Sequence, residues 1–95
     1  MKPTFTGAWR YFGRRGPSQI YEIYRLPATV KRVTLDDTLR MERLRKDGSW
    51  FHNPQDQGIY REMAGGWFDD DDEITIAHAQ ALVATWEQSQ WPGRD

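Results

Sequence analysis

From Ile76 to Gln90 the chain runs fifteen residues without glycine or proline, with Ile76, Ala79, Val83, Trp86 and Gln90 recurring at steps of three and four. That spacing defines one face of a helix about four turns long, and such a face needs an apolar surface to cover. Thr75 stands at the N-cap position, where a short hydroxyl side chain accepts from the first free N–H groups. Trp91-Pro92-Gly93 ends the segment. The helix is therefore expected over 75–90, with Ile76, Val83 and Trp86 facing inward.

The surface it covers must come from the first half of the chain. Between Phe5 and Phe12, the rings of Phe5, Trp9 and Tyr11 alternate with Thr6 and Arg10 in a period of two. Gln19 to Leu26 is β-branched and aromatic, as strands are. Between them, Gly13-Arg14-Arg15-Gly16-Pro17-Ser18 reads as a hairpin loop. Val30, Val33 and Leu35 alternate with polar residues in a third strand over 28–35. Asp47-Gly48 marks a further hairpin, in which both central residues would take positive φ, with strands on either side. Asn53-Pro54 opens a short helix that Gly65-Gly66 closes. The expected fold is α+β: a twisted antiparallel sheet of four or five strands over residues 5–52, a short helix near 54–64, and the longer helix over 75–90 on one sheet face. The helix should dock against members of the set Trp9, Tyr11, Ile20, Ile23, Val33 and Leu39.

Ninety-five residues support one core, so a single domain over 1–95 is expected. With no cysteine, disulfides, thiolate chemistry and cysteine-ligated zinc are excluded. Five Trp, four Tyr and four Phe supply the bulk, since each ring buries about 150 to 250 Å². There is no apolar run near the roughly 20 residues of a membrane span, and Met-Lys-Pro-Thr-Phe-Thr lacks the apolar stretch of a signal peptide. The expectation is a cytoplasmic protein with no membrane partner.

The net charge of -1 conceals two opposed halves. Residues 1–50 hold 11 Lys and Arg against 5 Asp and Glu, and residues 51–95 hold 2 against 9. Opposite halves attract each other internally, and any uncovered part of either can steer a partner. The run Asp69-Asp70-Asp71-Asp72-Glu73 lies just ahead of the helix, where the positive end of its dipole favours anions.

Candidate chemistry is sparse. Ser49 precedes His52 by three residues, without the strained Gly-x-Ser-x-Gly elbow of a hydrolase. His52, His78 and Asp72 are the residue types of a two-histidine, one-carboxylate metal site, yet no spacing joins them, and His78 reads as a surface residue. Consecutive aspartates lack the alternation and glycine of a calcium loop. Gly13-Arg14-Arg15-Gly16 lacks the Gly-Lys-Ser/Thr ending of a phosphate loop. No catalytic residue, metal or cofactor is assigned. A non-enzymatic protein-binding module, an adaptor or inhibitor, is the leading expectation, with Arg14, Arg15, Asp70, Asp71 and Asp72 as contact residues. The alternative is nucleic-acid binding by the basic sheet face, through Arg10, Arg14, Arg15, Lys31, Arg32, Arg43, Arg45 and Lys46, with Tyr11 or Trp50 as the stacking ring. An enzyme ranks third.

The basic strand followed by Asp47-Gly48-Ser49-Trp50, then Gly65-Gly66, the acidic run Asp69 to Glu73 and the alanine-rich helix ending in Trp86 together resemble small uncharacterised proteins of actinobacteria and their phages. The likeness spans roughly residues 40–87. It implies one compact α+β unit in an intracellular setting, and no activity.

Overall fold

The computed structural model describes residues 3–31, 40–52 and 73–93. These form a five-stranded antiparallel sheet and one helix. β1 (Trp9–Arg15) pairs with β2 (Ile20–Pro27), followed by β3 (Glu42–Leu44), β4 (Trp50–Phe51), β5 (Glu73–Ile74) and α1 (Ile76–Gln88). The order across the sheet is β4-β3-β2-β1-β5.

Alternation along the strands sorts side chains onto two faces. On one face Tyr11, Ile23, Leu44 and Ile74 are buried with Ala79, Val83 and Trp86 of α1, and Phe5, Trp9, Ile20, Trp50, Ile76, Leu82 and Trp91 pack around them. The expected docking of the helix through Val83 and Trp86 is therefore present, with Trp9, Tyr11, Ile20 and Ile23 in the same cluster. Ile76 takes part while remaining half-buried. Val33 and Leu39 lie outside the described residues. The other face carries a second cluster of Phe12, Tyr24, Leu26 and Met41, with Val30 against it. Consecutive pairs such as Tyr11-Phe12 and Ile23-Tyr24 supply both faces at once, the pattern of a strand buried on both sides.

Thr75 caps α1 as expected, its Oγ1 accepting from the His78 N–H at 3.0 Å. The helix stops at Gln88, two residues short of Gln90, and Ser89 caps it by donating from its N–H and its hydroxyl to the Thr85 carbonyl. The tail then turns back: Trp91 meets Trp86 edge to face with centroids 4.9 Å apart, and Gly93 lies against the backbone of Tyr21.

Several expectations are corrected. β1 begins at Trp9 and not Phe5, because the Tyr11 hydroxyl accepts from the Thr6 N–H and donates to its carbonyl, closing a local turn in place of ladder bonds. Gly13, Arg14 and Arg15 belong to β1 and not to a loop. Gly13 pairs with Ile23, and the Ile20 side chain sits where a Cβ on Gly13 would come within 2.8 Å, so the glycine makes room for a packed neighbour. A register shift between Arg14 and Arg15 ends the regular pairing. The strand expected over 28–35 is absent from its described part, 28–31: Ala28 donates to Ala8 and Val30 to Pro27, which makes a turn. The fifth strand is instead Glu73–Ile74, outside 5–52, so Glu73 is a ladder residue opposite Phe12 and α1 has no acid in its first turn. The helix expected over 54–64 lies outside the described residues.

Candidate functional site

The β3–β4 hairpin is built on Lys46-Asp47-Gly48. Only Gly48 has a positive φ, 90°, and the Gly48 N–H donates to the Arg45 carbonyl while the Arg45 N–H donates to Ser49. That is a type I turn followed by a glycine bulge, a three-residue loop and not the two-residue turn expected from Asp-Gly. Asp47 accepts from the Ser49 hydroxyl and backbone N–H, and these bonds hold its carboxyl below the usual range. The loop fixes the register Leu44 opposite Trp50 and Arg43 opposite Phe51. Trp50 therefore turns to the helix-covered face and Phe51 to the other.

Behind the hairpin, on the helix-covered face, Arg25 lies with its guanidinium 3.7 Å from the Trp9 ring and 4.4 Å from the Trp50 ring, and its Nε donates to Glu42 at 2.8 Å. A flat cation between two indoles with a carboxylate at its edge satisfies stacking and charge together. Phe5 and Tyr11 complete this aromatic group against Trp50, with centroids at 6.0 and 5.9 Å.

On the opposite face a buried carboxylate organises the charges. Glu22 is 3% exposed; its Oε1 accepts from Arg14 at 3.0 Å and from the Tyr24 hydroxyl at 3.1 Å, and Arg43 stands 3.8 Å from Oε2. The Arg43 guanidinium also lies 5.9 Å from the Phe51 ring, and Arg45 lies 5.4 Å from it. Among the described residues Phe51 is the one exposed large hydrophobic side chain, at 36%. A strip thus runs from an interior anion through an arginine to an exposed ring.

Near the Trp9–Pro27 end of the sheet is a cavity of about 310 Å³ lined by Trp9, Leu26, Pro27, Val30, Arg40, Glu42 and His52. His52 Nδ1 is 3.1 Å from the Met41 carbonyl, which can only accept, so Nδ1 carries the proton.

The residues singled out from sequence are dispersed. Arg14 is no loop tip: it sits in β1, tied to Glu22 with its guanidinium 5.3 Å from the Tyr21 ring. Arg15 is exposed at the strand end. Asp70, Asp71, Asp72 and Arg32 lie outside the described residues. In the basic set, Arg10 binds Glu73 through two parallel bonds of 2.9 and 3.0 Å and also donates to the carbonyls of Val30 and Lys31. Arg10, Arg14 and Arg43 are therefore neutralised within the chain, and Arg43, Arg45 and Lys46 gather on the hairpin. Tyr11 is buried and Trp50 half-buried, and among the described residues the exposed ring is Phe51. His78 is exposed on the helix, and no group of three or more metal-ligating side chains occurs among the described residues. No helix among them is long and apolar enough to cross a membrane.

Compared with protein-family models, with curated proteins and with solved structures, the chain matches none.

Proposed function

We propose that this chain is a non-enzymatic, cytoplasmic protein-binding module whose contact surface is the outer face of the β3–β4 hairpin. Phe51 is the anchor, half-buried Arg45 and exposed Lys46 flank it, and Arg43, itself buried, backs the ring. The observation that carries this reading is the exposure of Phe51 beside two guanidiniums, one of them braced on buried Glu22. Aromatic rings and arginines are the residues on which interface energy concentrates, and a braced side chain gives up little freedom on binding. The partner is a protein with an apolar pocket rimmed by carboxylates. Arg15 at the end of β1, and Asp70, Asp71 and Asp72, act in steering encounter.

The absence of catalysis belongs to the same proposal. In the cavity His52 and Glu42 lie together, but Glu42 is held by Arg25 and His52 Nδ1 by a carbonyl. Among the described residues, the lining supplies no hydroxyl, thiol or amine as a nucleophile.

Nucleic-acid binding is the second reading, favoured by one arrangement: a ring, two arginines and a lysine on one hairpin also suit a stacked base and its phosphates. The internal pairing of Arg10, Arg14 and Arg43 ranks it lower. Co-purification from the native cell with tagged parent and with Phe51→Ser tests both. The module reading expects a stoichiometric protein recovered by the parent and depleted at least about tenfold in the variant. Equal recovery by both, or capture of only nucleic acid with an affinity that falls steeply with salt, would overturn it.

A further inference from the structure

We infer that the cavity between Trp9 and His52 is a binding site for a small carboxylate ligand with a compact apolar or aromatic body. At about 310 Å³ it stands at the lower end of the roughly 300 to 1,000 Å³ typical of small-molecule sites. Trp9, Leu26, Pro27 and Val30 form an apolar wall, and among the described residues Arg40, Glu42 and His52 are the polar ones in the lining. A concave apolar wall with a few convergent polar groups is the usual make-up of a ligand site.

The sign of the ligand is set by which charges are already answered. Glu42 beside an indole would suit a cation, but Arg25 occupies that position: it lies 3.7 Å from the Trp9 ring and 2.8 Å from the Glu42 carboxylate. The arginine left over is Arg40, which is exposed and pairs with no carboxylate among the described residues. A second cation is redundant there and an anion is not. A carboxylate or similar oxyanion accepts from Arg40 in a charge-assisted pair while its apolar body lies on Trp9 and Val30. His52, whose ring is oriented by the Met41 carbonyl, adds a polar edge to the lining. This site is independent of the Phe51 surface, and either can fail without the other.

The experiment is an amide and indole NMR titration of the folded chain with four probes: phenylacetate, phenylacetamide, benzylammonium and acetate. Phenylacetate is expected to shift the Trp9 indole and the Val30 amide saturably, with a Kd in about the millimolar range set by its few heavy atoms. The amide and the ammonium should bind about tenfold more weakly or worse, and acetate should leave Trp9 unmoved. Arg40→Gln, a surface change that leaves the melting temperature at the parent's value, should reduce phenylacetate to the level of the amide. No saturable shift at Trp9, equal binding of acid and amide, or parental affinity in Arg40→Gln would each overturn the assignment.

Discussion

Removing the Trp86 side chain tests the packing of the helix on the sheet in a way that separates two effects. Trp86 is 3% exposed between α1 and the strands, and its indole N–H is buried without a hydrogen-bond partner. A buried indole removes about 150 to 250 Å² from water, which at about 25 cal/mol per Å² amounts to about 4 to 6 kcal/mol. Stranding the N–H costs about 1 to 3 kcal/mol in the opposite direction. The difference is about 1 to 5 kcal/mol, and the cavity left behind adds at its lower end, so Trp86→Ala should destabilise by about 3 to 5 kcal/mol. Since 1 kcal/mol corresponds to about 4 to 8 °C in a domain of this size, the melting temperature should fall by at least about 12 °C. Trp86→Phe gives up part of the packing and also removes the stranded donor, so it should fall within about 1 kcal/mol of the parent. Urea denaturation together with thermal melting, both read by far-UV circular dichroism, measures the two variants. If Trp86→Phe cost as much as Trp86→Ala, the offsetting of area by the unpaired donor would be wrong, and a Trp86→Ala protein melting with the parent would refute the docking itself.

Single contacts give further tests. Arg25→Lys keeps the charge facing Glu42 but loses the flat surface between Trp9 and Trp50, and should lower stability by about 1 to 2 kcal/mol in urea titrations; no change would mean the stacking contributes nothing. A Cβ on Gly93 would collide with the Tyr21 carbonyl oxygen, a backbone atom that cannot swing aside, so Gly93→Ala should lift the tail from β2 and expose Trp91. Its signature is red-shifted tryptophan emission, and an unchanged spectrum would contradict the contact. Because Asp47 titrates lower in the folded chain than when unfolded, its contribution is in place above the ordinary value of about 3.9 and is lost as pH falls through its lowered value. The Ser49 amide resonance should move in that acid range in the parent and stay fixed in Asp47→Asn; movement in both would assign the change elsewhere.

How far the sequence revealed this depended on how local the determinants were. The helix was legible in outline because fifteen uninterrupted residues repeat one period and Thr75 can cap only a helix that begins just after it. The Asp-Gly hairpin was legible as a hairpin, though not as a turn type, since both candidate turns accept that dipeptide and only the backbone at Asp47 distinguishes them. Gly13 carried the wrong signal: glycine beside arginines suggests a loop, whereas here it clears space for Ile20 across the strand. Glu73 was read by its neighbours in sequence, while its structural neighbours are Phe12 and Arg10, the latter 63 residues away. Phe51 could not be picked out because a shift of one residue in register exchanges it with Trp50, and the bulge at Gly48 sets that register. The cavity joins β1, β2 and the hairpin, and no short window of sequence contains it. The charge imbalance was plain in the totals, but its partial use as internal ion pairs became visible only with Glu22 and Glu73 in place.

The proposed function depends above all on the exposed ring at the hairpin edge being where a partner sits. Photo-crosslinking in the native cell, with benzoylphenylalanine placed at position 51 or at position 87 on the exposed side of α1, measures this directly. A discrete protein adduct from position 51 and none from position 87 is the predicted result. Adducts of equal yield from both positions, or from 87 alone, would contradict it.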